Sequence, residues 1–189
     1  MTGQSYCILG IDPAAAGATG FGVVEREGNR CRMLRLGAVR PLNRPSVTSN
    51  AHLCRIHRQI ADLIEEFQPR AVALESVFAA LNVKAALRLA EVRGVVLLAA
   101  AQAGVPAFSY SPREVKAVVA GYGNAGKEQV QQMVRALLSM TEIPEPTDAA
   151  DALAVALCHI QVAEGKERIT KCSAGNPRPQ LQPSEDFPD

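Results

Sequence analysis

The sequence predicts an α/β fold in which helices flank a mixed five-stranded sheet. Three short apolar segments near the N-terminus are separated by tight turns, the spacing of an antiparallel meander. Two further apolar segments each follow a helical pattern, and strands joined through helices are parallel, with right-handed crossovers. The remaining chain reads as consecutive helices. This order of strands and helices is typical of an α/β domain.

The first half of the chain contains the predicted meander and one helix. The three strands are predicted at Tyr6–Asp12, Thr19–Glu25 and Cys31–Gly37, with turns at PAAAG and EGN. A polar connection with two prolines, VRPLNRPSVTSN, follows. A helix is then predicted from about Ala51 to Phe67, because apolar residues recur there at spacings of three and four.

The second half alternates strands and helices before ending in helices alone. Gly104 is expected just beyond a helix C-terminus, and Ser111 and Pro112 are expected as N-cap and first residue of a helix. The predicted strands and helices are Arg70–Glu75, Asn82–Ala103, the short strand PAFSY, a helix from Pro112, Lys127–Met140 and Thr147 to about Ala163.

The periodic pattern stops at Glu164. The segment from there onwards has four prolines, mixed charge and neither a helical nor a strand period. Such segments cannot bury enough apolar surface to fold by themselves. We therefore predict one domain over residues 1–163 and a disordered tail over residues 164–189.

Composition sets bounds on function without selecting one. The 189 residues are 48% apolar and 21% charged, which is ordinary for a globular protein. The net charge of +1 does not by itself indicate a nucleic-acid partner. Between Leu81 and Arg135, however, seven basic residues stand against three acidic ones. This local excess is compatible either with a DNA-binding face or with ordinary solvated helices.

The cysteines and the N-terminus indicate a cytoplasmic protein. The five cysteines are odd in number, widely spaced and form no CxxC pair, so reduced thiols are expected. The segment MTGQSYCILGID has neither a basic region nor a small-residue cleavage site. The most apolar stretch, GVVLLAAAQAGV, is too short to span a bilayer.

Four acidic residues carry the functional prediction. Asp12 and Glu75 each end a predicted strand, and Asp148 and Asp151 lie three residues apart on one helix face. Singly, Asp12 could cap a turn and Asp148 could favour a helix N-terminus. Clustered carboxylates repel one another unless cations lie beside them, and their hard oxygens suit Mg²⁺ or Mn²⁺. Two such ions about 4 Å apart support in-line displacement at phosphorus. A metal-dependent nuclease is therefore predicted.

Several segments resemble the bacterial Holliday-junction resolvase family RuvC. They are ILGIDPAAAGATGFGVV, LESVF, NVKAALRLAEVRGVVLLAAAQAG, SPREVKAVVAGYGNAGKEQVQQMV and DAADALAVALCH, between about Ile8 and His159. The resemblance implies an RNase H-like fold, a homodimer and paired symmetric nicks in a four-way DNA junction. It implies two Mg²⁺ ions per site, with Mn²⁺ able to substitute, and a partnership with the RuvA–RuvB branch-migration complex.

The resemblance also assigns residues. The four catalytic and metal-binding acids are Asp12, Glu75, Asp148 and Asp151. The expected DNA-binding residues are Phe78, Asn82, Arg113, Lys116 and Lys127. Of these, Lys116 and Lys127 are expected near the scissile phosphate, and Phe78 is expected to stack at the opened junction.

Three positions depart from the family pattern. Ala14 stands where a glycine is usual, and would cost about 1 kcal/mol if the chain needed a positive φ there. Leu81 replaces a lysine, which removes one phosphate contact, and Ala90 replaces a glycine often found in the long helix. None of the three is an acid, so they bear on DNA affinity rather than on chemistry.

Other functions stay open from the sequence. The segment DPAAAGATG resembles the phosphate loop of actin-like ATPases and kinases, although those proteins have a second such loop. GYGNAGK has the spacing of a phosphate-binding loop, but Glu128 stands where a hydroxyl should hold Mg²⁺. A junction-binding scaffold without cleavage is the third alternative, against which the four acids argue.

Overall fold

The structure, a computed structural model, describes residues 5–41, 49–76 and 82–174. Its five strands are β1 (Tyr6–Asp12), β2 (Thr19–Glu27), β3 (Arg30–Val39), β4 (Ala71–Glu75) and β5 (Ala107–Tyr110). They form one sheet in the order β3-β2-β1-β4-β5. β2 pairs antiparallel with both β1 and β3, whereas β4 pairs in parallel with both β1 and β5. The predicted mixed five-stranded sheet is therefore confirmed.

Five helices cover the two faces of this sheet. They are α1 (Ser49–Phe67), α2 (Val83–Gln102), α3 (Pro112–Ala120), α4 (Lys127–Leu137) and α5 (Thr147–Ala174). One apolar cluster joins α1 and α2 to the sheet, and a second joins α3, α4 and α5 to its other face. The domain thus has three layers, with the sheet in the middle.

The alternation of side chains along the central strands decides which face each residue occupies. On β1, Leu9 and Ile11 pack in the cluster with α1 and α2, whereas Ile8 packs in the cluster with α5. Because strand residues alternate between faces, Asp12 lies on the α5 face. The same alternation on β4 places Glu75 on that face.

Three glycines let α5 lie directly on the sheet. A Cβ atom added to Gly10 would lie 2.1 Å from the carbonyl oxygen of Ala152, and one added to Gly20 would lie 2.0 Å from that of Asp148. A Cβ atom added to Gly22 would also be too close, at 2.7 Å from Cδ2 of Leu153. Without these glycines the helix would have to move away from the strands.

The helix ends follow the sequence signals. Ser111 accepts a hydrogen bond from the backbone N–H of Glu114, whose side chain accepts one from the backbone of Ser111, with Pro112 starting α3. The Asn82 side chain caps α2, and Gly104 follows that helix with φ of +68°. These caps satisfy backbone groups that the helices leave unpaired.

The last helix is longer than the sequence pattern predicts. We expected it to end near Ala163 and a disordered tail to begin at Glu164, but α5 continues to Ala174. Glu164 explains part of the difference, because both of its carboxylate oxygens accept hydrogen bonds from Arg26 on β2, at 2.6 and 2.9 Å. The expectation is therefore wrong for residues 164–174, and residues 175–189 lie outside the described chain.

Two further sequence expectations can be compared with the structure. All five cysteines are free thiols, as predicted. Within the described ranges, no helix combines the length and the apolar character that crossing a membrane requires.

Candidate active site

Two of the four predicted acids end neighbouring strands. Asp12 is the last residue of β1 and Glu75 the last residue of β4. These strands are parallel, and their final paired residues are Ile11 and Leu74, so the acids that follow lie side by side at the same edge. Both side chains point to the α5 face.

The other two acids come from the first turns of α5. Asp12 lies opposite Gly20 in the β1–β2 pairing, and the backbone of Asp148 rests directly on Gly20. Asp148 is therefore held above the strand end that carries Asp12. Asp151 lies one helical turn further and faces the same way. The glycines under α5 are thus what bring the second pair of acids to the first.

The charges of the four carboxylates interact. Burial, and then the carboxylates of Glu75, Asp151 and Asp148 in that order of influence, raise the pKa of Asp12 to about 8. Burial likewise raises the pKa of Glu75, with a contribution from Asp151. Carboxyls with raised pKa values that repel one another are typical of sites that bind cations or transfer protons.

Two lysines face the acids. Lys127, the first residue of α4, donates a hydrogen bond of 2.8 Å from Nζ to Oδ2 of Asp151. Lys116 on α3 and Lys127 oppose the rise in the pKa of Glu75 that burial and Asp151 cause. Both lysines line a cavity of about 160 Å³ together with Glu75, Asp151 and apolar residues of α3, α4 and α5. Lysines and acids therefore share one recess at the edge of the sheet.

The remaining predicted DNA-binding residues are placed differently. The side-chain oxygen of Asn82 accepts from the backbone N–H of Ala85 at 2.9 Å, so Asn82 caps α2. Arg113 is exposed on α3, and its aliphatic chain packs against Gly123 in the loop before α4. Phe78 and the departure at Leu81 lie outside the described residues.

Two concerns raised by the sequence are resolved. Where the chain is described, the non-glycine residues with positive φ are Gln68 and Ser139, so Ala14 adopts an ordinary conformation and its departure carries no backbone cost. The segment GYGNAGK follows helix α3 rather than a strand. It therefore lacks the strand–loop–helix setting of a phosphate-binding loop.

The donor chemistry of the site fits divalent cations. Four carboxylates on one strand edge and one helix supply the hard oxygen ligands that Mg²⁺ and Mn²⁺ prefer. In the geometry of the described residues, no three His, Cys, Asp or Glu side chains converge closely enough to hold a metal ion. The carboxylates therefore act on one another electrostatically but do not form a complete coordination shell in the described part of the chain.

Sequence reasoning missed the glycines that build this site. Gly20 and Gly22 are two residues apart in β2, and Gly10 lies on β1 opposite Gly22. Glycines at a spacing of two mark one face of a strand that another element approaches closely. That signal, available in TGFG, could have predicted that the last helix lies on these strands.

Comparison with solved structures defines the class of protein. The structure of Thermus thermophilus RuvC matches with a TM-score of 0.78 and 37% identity, covering 85% of this chain and 96% of that one. The same protein in complex with a Holliday junction substrate matches with a TM-score of 0.79 and 36% identity, with the same coverage. The fold is that of the RNase H-like α/β proteins, with acids from β1, β4 and α5 at one edge of the sheet.

Sequence comparisons give the family. A family model described as "Crossover junction endodeoxyribonuclease RuvC" matches residues 8–159. A protein of that name from Heliobacterium modesticaldum is 50% identical over 152 residues, which are 80% of this chain and 91% of the relative. One from Natranaerobius thermophilus is 44% identical over 162 residues, 86% of this chain and 99% of the relative. The chain belongs to the RuvC family of crossover junction endodeoxyribonucleases.

Proposed function

We propose that this protein is an endonuclease that resolves four-way DNA junctions by paired symmetric nicks. The observation that carries the proposal is that Glu75 and Asp151 share one recess with two lysines at the strand edge, while their charges also act on Asp12. A site that cleaves phosphodiesters combines acids that bind cations with lysines that bind the phosphate. The Thermus relative, solved with a Holliday junction substrate, supports the choice of DNA.

We assign Asp12, Glu75, Asp148 and Asp151 as ligands of two Mg²⁺ ions, with Mn²⁺ able to substitute. The chemistry that bound divalent ions supply is activation of water and stabilisation of charge at the phosphate. Burial is the main cause of the raised pKa of Asp12, which reflects the cost of holding a carboxylate there without added positive charge. The chain's contribution is to fix four oxygen donors on rigid strands and a helix.

The lysines are proposed to act on the phosphate. Lys116 and Lys127 approach the acids from α3 and α4, so they can bind the phosphate oxygens that the carboxylates would repel. Arg113 on α3 and Asn82 at the start of α2 are proposed to add further DNA contacts. Phe78 is proposed to stack on an unpaired base at the crossover, a contact typically worth about 1–3 kcal/mol.

A two-fold junction needs two sites, which a symmetric homodimer supplies. The long helix α2 carries an uninterrupted line of exposed small or apolar residues at alternating spacings of four and three. We name this line the α2 stripe, and it consists of Val83, Leu87, Ala90, Gly94, Leu97 and Ala101. That spacing is the seam of helices that pair along their length. We propose that two copies pair through the α2 stripe.

Membership of the family supports a proposal about the cellular setting. We propose that the protein acts in the cytoplasm after the RuvA–RuvB complex has moved the junction. Free thiols are compatible with a reducing compartment. Pull-down of this chain by RuvA–RuvB on junction DNA, compared with RuvA–RuvB alone, tests the partnership.

A cleavage assay tests the central proposal. A four-way junction, a duplex of the same sequence and a single strand are incubated with the protein in Mg²⁺, in Mn²⁺ and in EDTA. We expect metal-dependent, paired nicks in the junction and little cutting of the other two. Binding without nicks in either metal would favour the scaffold, and ATP hydrolysis without nicks would favour the actin-like enzyme.

A further inference from the structure

Arg93 of α2 reaches the main chain of Glu75 from behind the sheet. One terminal nitrogen of its guanidinium donates to the carbonyl oxygen of Glu75. The other donates to Oγ of Ser109 on β5, at 3.0 Å. The Glu75 side chain points to the α5 face, whereas α2 lies on the opposite face. The arginine therefore holds the residue without touching its carboxylate.

The contact lies at the end of β4, where it can influence the placement of the Glu75 carboxylate. Glu75 is the last residue of β4, and just beyond it the backbone N–H of Ser76 donates to the carbonyl of Tyr110 at 2.7 Å. Strand ends fray unless something holds them. The guanidinium links the ends of β4 and β5 at the point where the carboxylate leaves the sheet, so a small shift there would displace the carboxylate.

The chemistry of the contact explains why the residue is arginine. Arg93 is half-buried, and burial lowers its pKa. No carboxylate of a described residue pairs with it, and its two acceptors are neutral oxygens. Even partial burial of a cation without an anionic partner costs desolvation free energy. A planar guanidinium can hold two acceptors in fixed directions, which a lysine cannot.

We propose that Arg93 is a positioning residue for Glu75, fixing the end of β4 so that the carboxylate meets the other three acids. The inference rests on the proposed function, because Glu75 matters only if the four acids act together. Arg93 precedes Gly94 of the α2 stripe, so the same helix would carry both the dimer contact and the support of the site.

Three variants test the proposal. Arg93→Met keeps the bulk but removes both donors, Arg93→Lys keeps the charge but not the fork, and Ser109→Ala removes one acceptor from an exposed position. Arg58→Met, at an exposed arginine of α1, is the matched control. The measurements are single-turnover cleavage at saturating protein, junction affinity in EDTA, melting temperature, and hydrogen exchange of the segment from 71 to 76.

The expected pattern separates positioning from general stability. Arg93→Met should slow cleavage at least tenfold, Arg93→Lys and Ser109→Ala less, and Arg58→Met not at all. Junction affinity in EDTA should stay within twofold of the parent, and exchange should accelerate at residues 71–76. If the parent cleaves the junction and the cleavage rate of Arg93→Met lies within twofold of the parental rate, the inference is overturned. It is also overturned if Arg93→Met cleaves slowly while hydrogen exchange at residues 71–76 is unchanged. A parent that does not cut refutes the proposed function instead, whereas the exchange result still reports on the strand end.

Discussion

The ammonium of Lys127 lies 2.8 Å from Oδ2 of Asp151 and is a cation bound directly to the acidic site. The pair connects the start of α4 to the second turn of α5. Lys127 also offsets part of the rise in the pKa of Asp12 and of Glu75, so its charge acts on several members of the group. The lysine side chain is 57% exposed and that of Asp151 28% exposed, so both can rearrange when phosphate arrives. The pair thus joins the proposed metal ligands to the proposed DNA contacts.

Asp151→Asn is expected to abolish cleavage while junction binding stays intact. An amide is a poor substitute for a charged oxygen ligand, and removing a negative charge near phosphate should not weaken DNA binding. Cleavage rate and junction affinity measured on the same variant give the answer. Asp62→Asn, at an exposed acid of α1, serves as control. A parental cleavage rate in Asp151→Asn would exclude its role in metal binding.

Lys116→Ala should slow cleavage by at least an order of magnitude, equivalent to about 1.4 kcal/mol of transition-state stabilisation. Lys116 lines the recess with Glu75 and lowers the pKa of that carboxyl. Single-turnover rates at saturating protein isolate this effect from binding. Lys166→Ala is the control, because Lys166 lines a separate cavity near the starts of β1 and β4. Equal rates for the parent and Lys116→Ala would make Lys116 an ordinary surface lysine.

The sequence predicts the sheet and the pairing of the acids for a physical reason. Apolar strands and helices normally end in turn residues, so carboxylates at the ends of YCILGID and RAVALE are informative. Parallel neighbours then bring such ends to one edge. The sequence pattern does not specify the distance between the sheet and the helices, which at α5 depends on Gly10, Gly20 and Gly22.

The end of α5 was mispredicted because its stabilising contacts are distant in sequence. Residues 164–174 have no apolar period, yet Glu164 pairs with Arg26, which is 138 positions away. Arg93 was missed for the same reason, since its acceptors on β4 and β5 are known only from the fold. The roles of Phe78 and of residues 175–189 stay predictions.

Placing a charge on the α2 stripe should produce monomers. Leu87 is 61% exposed, so Leu87→Glu costs little in an isolated chain but would bury an unpaired carboxylate in a dimer. We expect the molar mass measured by light scattering at micromolar concentration to fall from that of a dimer to that of one chain, about 20 kDa. The melting temperature should change little. Ile169→Glu, at an exposed apolar residue of α5, should leave the mass unchanged. A parent already monomeric under these conditions would contradict the α2 pairing.

Removal of Glu164 should destabilise the fold more than removal of Glu167. Glu164 makes a two-pronged pair with Arg26, with side chains only 23% and 13% exposed. The pair of Arg70 with Glu167 is single, 3.3 Å long and 62% and 52% exposed. We expect Glu164→Ala to cost about 2 kcal/mol and Glu167→Ala less than about 1 kcal/mol in the free energy of unfolding. Denaturant titrations compare them directly, and equal losses would mean that the partly buried pair does not anchor this part of α5.

The last prediction concerns the stability of the fold at mildly acidic pH. His159 on α5 is 7% exposed, and its Nδ1 lies 2.8 Å from the hydroxyl of Tyr110. Burial lowers the pKa of His159, and the positive charges of Arg70 and Lys166 lower it further. The unfolded chain therefore takes up a proton as the pH falls through about 6.5, before the folded chain does. The stability that the neutral ring contributes is full above that pH and is lost below it.

By pH 5.5 this loss amounts to at most about 1.4 kcal/mol, the value reached if the folded ring stays neutral throughout. We expect acidification from pH 7.5 to pH 5.5 to lower the free energy of unfolding of the parent relative to that of His159→Gln, which cannot titrate. Asp12, whose raised pKa acts in the opposite direction, contributes equally to both proteins. Tyr110→Phe, which keeps the histidine and removes its hydroxyl partner, should retain a pH-dependent loss and so identifies the ring as the titrating group. Chemical denaturation at the two pH values provides the comparison. If His159→Gln loses as much stability as the parent on acidification, another group is responsible.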